Sequence, residues 1–318
     1  MVSETSEAQI HFRHFDASGD IPHLAQLLAE IEQVDHAGED ISEETLKAQL
    51  TLPGHDPFQD RWVVTTSDNE RHIIGFSCVW KVPQNAHADI YVGVHPLWRR
   101  KGLGCELLQR TLARAQTLQP QEILASVDTQ HQEAMNFLQK HAFSPVAAYT
   151  EMCCAHSMLL PPPDWPTGYT IHAYNPLHDF PVLLEMYNTA FQGLWGHWET
   201  VTAADLQDIL THQNPAGIFL LHTHAGKVVG TCRGEISEPL SARRGRRMGY
   251  LDCPGVVPGH RANGLYFPLL LHAAHWVRNQ ETVDIEVESW GDDPQVIAQY
   301  EEVGFTRVRQ QITYHLPC

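Results

Sequence analysis

Two rhythms of apolar residues meet near the middle of the first half of this chain. Residues 89–94 alternate as a strand does, with Ile90, Val92 and Val94 on one face. Pro96 ends that strand. After Gly102 the residues Leu103, Leu107, Leu108, Leu112 and Ala115 recur at helical spacing. The reading is strand, short basic loop, glycine-opened helix. The start of such a helix presents backbone N–H groups that have no acceptor within it, at the positive end of its dipole. That combination suits an anion such as a diphosphate. Gly102 and Gly104 keep a Cβ out of the way, and Arg99, Arg100 and Lys101 add positive charge beside it.

The same stretch recurs as Pro254-Gly-Val-Val-Pro-Gly-His-Arg-Ala-Asn-Gly-Leu-Tyr266, with Pro258 on Pro96, Arg261 on Arg99 and Gly264 on Gly102 at an interval of 162 residues. Downstream, His131, Ala134, Leu138, Ala142 and Phe143 are matched at that interval by Asp293, Val296, Tyr300, Gly304 and Phe305. One ungapped register through two motifs indicates duplication. The remaining elements agree. Opening strands are expected at Ile10–Phe12 and Tyr169–His172, and helices at 21–34 and 179–191. Hairpins are expected at 61–65 with 72–81 and at 218–224 with 227–236. Further strands fall at 122–127 and 283–287, and closing strands at 147–158 and 306–316. Between the copies lies Pro161-Pro-Pro-Asp-Trp-Pro-Thr-Gly168, too rich in proline to continue a helix or a ladder. The expected organisation is therefore domains at 8–158 and 169–318, joined by a linker at 159–168.

The pattern Val-x-Pro-x-x-Arg-x-x-Gly-x-Gly at 94–104 resembles the acyl-CoA motif of the GNAT acetyltransferase superfamily. The order of strands and helices resembles the GNAT fold twice over, an α/β class with a mixed sheet in each copy. A tandem chain is similar to the mycothiol-synthase-like acetyltransferases, as are the run from Glu199 to Asp205 and the following Pro215-Ala-Gly-Ile-Phe-Leu. This resemblance implies an N-acetyltransferase that uses acetyl-CoA, or a related acyl-CoA, and a small-molecule amine as acceptor. It implies Val92, Val94, Arg99, Arg100, Lys101, Gly102, Leu103 and Gly104 as CoA contacts of the first copy. In the second copy the corresponding contacts are Val256, Arg261 and Gly264. The family commonly protonates the leaving thiolate with a tyrosine on the second helix. Leu138 stands there in the first copy and Tyr300 in the second. Where the motif has Gly or Ala the second copy has Tyr266, which either turns outward to stack on the adenine or closes the cradle.

Asp284, Glu286 and Glu288 share one face of a strand whose other face is Val283, Ile285 and Val287. Carboxylates on a central strand need water or partners, so an open, wet pocket is expected in the second copy. There Glu286 and Glu288 bind a cationic substrate, or relay a proton through water, or simply line a solvated face. Asp89 and Tyr91 are the corresponding candidates of the first copy.

Composition narrows the choice further. With 21 Lys and Arg against 38 Asp and Glu, a formal net charge of −17 argues against nucleic acid or an anionic membrane surface as partner. No apolar run reaches membrane-spanning length, and the first residues lack the basic and apolar regions of a signal peptide. Seven cysteines without a Cys-x-x-Cys fit reduced thiols in the cytoplasm. The 21 histidines show no completed metal spacing, so no metal is expected. The expected assembly is a monomeric pseudo-dimer or a homodimer. Two rival readings are a non-catalytic acyl-CoA sensor and a tandem transferase of aminoacyl or long acyl groups.

Overall fold

The computed structural model describes residues 9–36, 41–67, 69–83, 85–197, 200–211, 213–281, 283–290 and 294–318. Ala8, Glu199 and Asp293, named above, lie outside the described residues. Contacts divide the chain into two compact units. The first runs to Val146 and takes in Thr313–Cys318; the second is Ala147–Ile312.

In chain order the first repeat contributes β1 (Ile10–His14), α1 (Ile21–Asp35), α2 (Glu43–Gln49), β2 (Arg61–Thr66) and β3 (Asn69–Trp80). There follow β4 (His87–Val94), α3 (Leu103–Thr117), β5 (Glu122–Asp128), α4 (Gln132–Lys140) and β6 (Ser144–Cys154). The second repeat contributes β7 (Tyr169–Ala173), α5 (Phe180–Thr189), α6 (Ala203–Thr211), β8 (Ile218–Thr223), β9 (Val228–Ile236) and α7 (Glu238–Arg244). It ends with β10 (Met248–Val256), α8 (Tyr266–Gln280), β11 (Asp284–Trp290), α9 (Pro294–Glu302) and β12 (Thr306–Pro317).

In the first unit β1 to β4 form an antiparallel meander, and β4 then pairs parallel with β5. Period-two alternation sorts its apolar residues onto two faces. Val63, Ile73 and Phe76 meet α1 through Leu24, Leu27 and Ile31, while the adjacent Val64 and Ile74 meet Leu103 and Leu107 of α3. The end of the chain belongs to this unit. Thr313 Oγ1 lies 2.9 Å from Ser126 Oγ, and His315 Nδ1 lies 3.0 Å from the Glu122 carboxylate.

The second unit repeats the plan, with α8 packed over Leu251, Ile285 and Val287, and α5 and α6 over Ile218 and Leu220 on the opposite face. Tyr149–Cys154 of β6 pair antiparallel with β11. The compact boundary therefore falls after Val146, and the proline-rich stretch 159–168 lies within the second unit.

Candidate active site

Pairing between β4 and β5 covers only His87–Asp89 against Glu122–Leu124, although β4 continues to Val94. Beyond Asp89 the two parallel strands part, which releases one backbone edge of β4 from this ladder. A 3-10 turn at Pro96–Trp98 follows, and then the loop that opens α3. Arg100 and Gly102 both take left-handed backbone, φ 65° and 87°, and Gly102 is the N-cap. The first α-helical bond of this turn runs from Glu106 N–H to Gly102 O at 3.2 Å. The amides of Leu103, Gly104 and Cys105 therefore precede the helical ladder.

Gly104, in the first turn of α3, is the most telling position here. A Cβ added there would meet nothing nearer than 3.8 Å, from Phe137 and Val94. The protein's own packing therefore does not demand glycine here, and its choice leaves the amides at the start of α3 without a side chain at this position. Arg100, Lys101 and Gly102 are exposed, with the Lys101 ammonium 4.4 Å from the Trp98 ring centroid. Leu103 instead sends its side chain into the core with Leu107, and Val92 and Val94 pack against the same cluster. Of these three, Leu103 is buried while Val92 and Val94 are half-buried.

Arg99 departs from the expected role. Its Nε donates to Val94 O at 3.1 Å, and its guanidinium donates to both Asp35 oxygens at 2.9 and 2.7 Å. The side chain ties the loop to the last residue of α1 instead of reaching into the cradle. Arg261 repeats the device, donating to Val256 O at 3.0 Å and to Ala190 O and Gln192 O at 3.1 and 2.6 Å. Both arginines hold the motif loop against the end of the repeat's first long helix, where carbonyls and a carboxylate favour a cation.

On the α1 face of β4, Asp89 and Tyr91 follow one another at the point where β5 departs. His87 Nε2 lies 3.5 Å from the Asp89 carboxylate. The Tyr91 ring lies along the strand over Gly93, where a Cβ would sit 2.8 Å from the phenol oxygen. Leu138 is buried on α4.

In the second unit β10 pairs with β11 only from Met248 to Leu251, and a bulge between Asp252 and Gly255 bends it away. Gly264 is left-handed at φ 68°, ahead of α8. Tyr300 is fully buried, and its hydroxyl lies 2.6 Å from the hydroxyl of Tyr266, with Phe305 5.6 Å away between ring centroids. Tyr266 has neither turned outward nor left space: its ring packs inward with Tyr300 and Phe267.

The expected wet pocket around the acidic strand is also corrected. Glu286 is 1% exposed and accepts from Arg243 at 2.7 Å and Arg244 at 2.9 Å. Glu151 accepts from Arg244 at 2.8 Å, and Arg246 lies 2.8 Å from Asp284. Hydrogen bonds from His156 and the Arg246 charge overcome burial and hold Asp284 below the usual carboxylate range. Burial pushes the Glu288 carboxyl up, with the nearby Glu151 charge adding to it, and Tyr250 donates to it at 3.5 Å. The arginines at the end of α7 were missed in the sequence because each acid they neutralise lies at least 38 residues away. A small pocket behind the bulge, lined by Tyr187, Phe191, Arg233 and Asp252, was missed for the same reason. Cys105 Sγ, 3.6 Å from His141 Nε2, is a further contact between residues distant in sequence. Among the described residues no cluster of His, Cys, Asp or Glu could hold a metal ion, and no helix is long and apolar enough to cross a membrane.

A sequence model of the Acetyltransferase (GNAT) family matches residues 24–143 and again residues 180–305. A mycothiol acetyltransferase from Salinispora tropica is 27% identical over 285 residues, spanning 83% of this chain and 88% of its own length. Another, from Pseudarthrobacter chlorophenolicus, is 24% identical and spans 91% of this chain and 90% of its own. Among solved structures, a GCN5-related N-acetyltransferase from Sphaerobacter thermophilus superposes with a TM-score of 0.69 at 20% identity, over 97% of this chain and 95% of its own.

Proposed function

The chain belongs to the acetyltransferase (GNAT) family, as two tandem GNAT folds, and is an acyl-CoA-dependent N-acetyltransferase; on that premise we propose that its first half holds acetyl-CoA and acetylates the amine of a small molecule. The observation that carries this reading is the run of amides that opens α3, bare of a side chain at Gly104 although a Cβ there would meet only ordinary contacts, next to the parted strands β4 and β5. Relatives bearing the name mycothiol acetyltransferase support a small-molecule acceptor. When bound, acetyl-CoA supplies an activated thioester.

The chain's own groups do the rest. The amides of Leu103, Gly104 and Cys105 bind the diphosphate, with Arg100 and Lys101 adding charge at its open side. The exposed edge of β4 beyond Asp89 holds the amide-bearing arm and offers an N–H to the carbonyl oxygen that gains charge. Asp89 accepts the proton that the amine must lose, in the position of a general base. The Tyr91 phenol, laid over Gly93, is the hydroxyl at that edge which can return a proton to the departing sulfur, a task Leu138 cannot perform.

The test is amine-dependent thiol release from acetyl-CoA over a panel of small amines, comparing wild type with Gly104→Phe and Tyr91→Phe. Release that requires an amine and is lost in Gly104→Phe supports the reading. A second reading has its own observation: with Leu138 in the first copy and Tyr300 sealed in the second, neither family acid position presents a proton donor. Tight acetyl-CoA binding without turnover on any amine would favour that reading, a non-catalytic acyl-CoA sensor.

A further inference from the structure

The two cradles share a braced loop, a left-handed glycine and parted strands, but Ala262 and Asn263 stand in the second where the first has Arg100 and Lys101. Gly264 repeats the left-handed N-terminal turn of Gly102, and Arg261 repeats the brace of Arg99. Each copy parts its two parallel strands at the corresponding place, after Asp89 and after Leu251. The difference that fills space is Tyr266, which stands 162 residues after Gly104.

A side chain at Gly104 would start toward Phe137 of α4 and Val94 of β4. In the second copy that direction is taken by a phenol ring. Tyr266 lies 6.1 Å from the Tyr300 ring of α9 and 5.5 Å from Phe267, and its hydroxyl meets that of Tyr300 at 2.6 Å. Tyr300 takes the place of Leu138, so a latched Tyr–Tyr pair stands where the first copy has Gly and Leu. Pro268 matches Glu106 and lacks an N–H, which removes a further donor from the helix start.

We infer that the chain binds one acyl-CoA, in the first half, and that Tyr266, latched to Tyr300, closes the second cradle. This rests on the reading of the first cradle as the CoA site. A ligand whose diphosphate sits at the start of α8 must send its pantetheine arm toward the parted edge of β10. The Tyr266 ring, reaching from α8 to α9, occupies that route. Swinging it out requires breaking the bond to a fully buried hydroxyl and moving an aromatic ring out of the α8–α9 packing, so the closed arrangement is the resting one.

The test is calorimetric titration of the full chain with acetyl-CoA. Wild type is expected to bind one equivalent, and Gly104→Tyr none. Tyr266→Gly is expected to bind two. The double variant Tyr266→Ala/Tyr300→Leu, which restores small and aliphatic residues as in the first copy, is expected to do the same if the glycine variant folds poorly. Two equivalents on wild type would overturn the inference while leaving the first-cradle reading intact. One equivalent on both opened variants, with circular dichroism unchanged, would overturn the role of Tyr266. No heat on wild type, or one equivalent that survives Gly104→Tyr, would instead remove the first-cradle reading itself.

Discussion

Arg99 and Asp35 form a two-pronged ion pair, at 2.9 and 2.7 Å, that fastens the loop ahead of α3 to the end of α1. A third bond, from Arg99 Nε to Val94 O, fixes the same guanidinium to the strand before the loop. The arginine of the motif thus shapes the cradle from behind.

This geometry predicts the sign of a mutation. If Arg99 only shapes the loop, Asp35→Ala should weaken acetyl-CoA binding about tenfold, because displaced amides no longer converge. It should also lower stability by about 1–3 kcal/mol, the range for charge-assisted hydrogen bonds. Arg99→Ala should match it, and the double variant should add little more. Were the guanidinium a phosphate ligand, freeing it from Asp35 would tighten binding. Titration calorimetry with urea unfolding separates the two.

Gly104 gives a second prediction with opposed signs. The residue lies inside α3 with no backbone need for glycine, and a Cβ would meet only ordinary contacts at 3.8 Å. Gly104→Ala should therefore stabilise the free protein by about 0.5–1 kcal/mol through helix propensity. The same methyl should weaken acetyl-CoA, since it fills the approach to the amides. Thermal unfolding without and with acetyl-CoA reads both effects. A free protein that loses stability would contradict this account of the space.

The strand–loop–helix motif of each copy was legible because it is local in sequence, and the duplication because one ungapped register of 162 residues joins the two copies. What the sequence hid depends on long separations. Arg99 finds Asp35 64 residues away, and Arg244 finds Glu151 at 93. The helix α7 that carries Arg243 and Arg244 has only seven residues, too few for a periodic signal, although Ser237 caps it by accepting from Leu240 N–H. The direction of the Tyr266 ring was open for a related reason, since it is set by a hydroxyl on another helix.

The carboxylates of β11 supply a third prediction, in which neighbours on one strand behave differently. Glu286 is buried against two arginines, so Glu286→Gln should destabilise by about 3 kcal/mol. Glu288 has a carboxyl pushed up by burial, so the folded state binds its proton more tightly than the unfolded chain does. Its contribution is therefore full below the ordinary value of 4.5 and is lost as pH rises through the raised folded value. Glu288→Gln should be neutral or stabilising at pH 8 and lose that advantage at pH 4. Urea unfolding at the two pH values checks both variants, and a Glu288→Gln that is destabilised at pH 8 would refute the assignment.

Asp60 responds to acid in the opposite sense. Its carboxylate lies 3.1 Å from His55 Nδ1 and accepts from Arg114 at 2.8 Å and from Asp56 N–H at 2.6 Å. Burial opposes ionisation, but these bonds hold the carboxyl below its usual range. Stability from Asp60 is present above the ordinary 3.8 and falls away as pH drops through the lower folded value. Asp60→Asn should therefore be less stable at pH 7 and show a flatter stability profile below pH 4, measured by acid titration of the far-ultraviolet circular dichroism.

The most direct measurement is a crystal structure of the full chain grown with acetyl-CoA. The diphosphate is predicted within hydrogen-bond reach of the amides of Leu103, Gly104 and Cys105, with the pantetheine arm along β4 beyond Asp89. Density for the nucleotide at the start of α8 alone, or a loop at 99–104 turned away from it, would contradict the account.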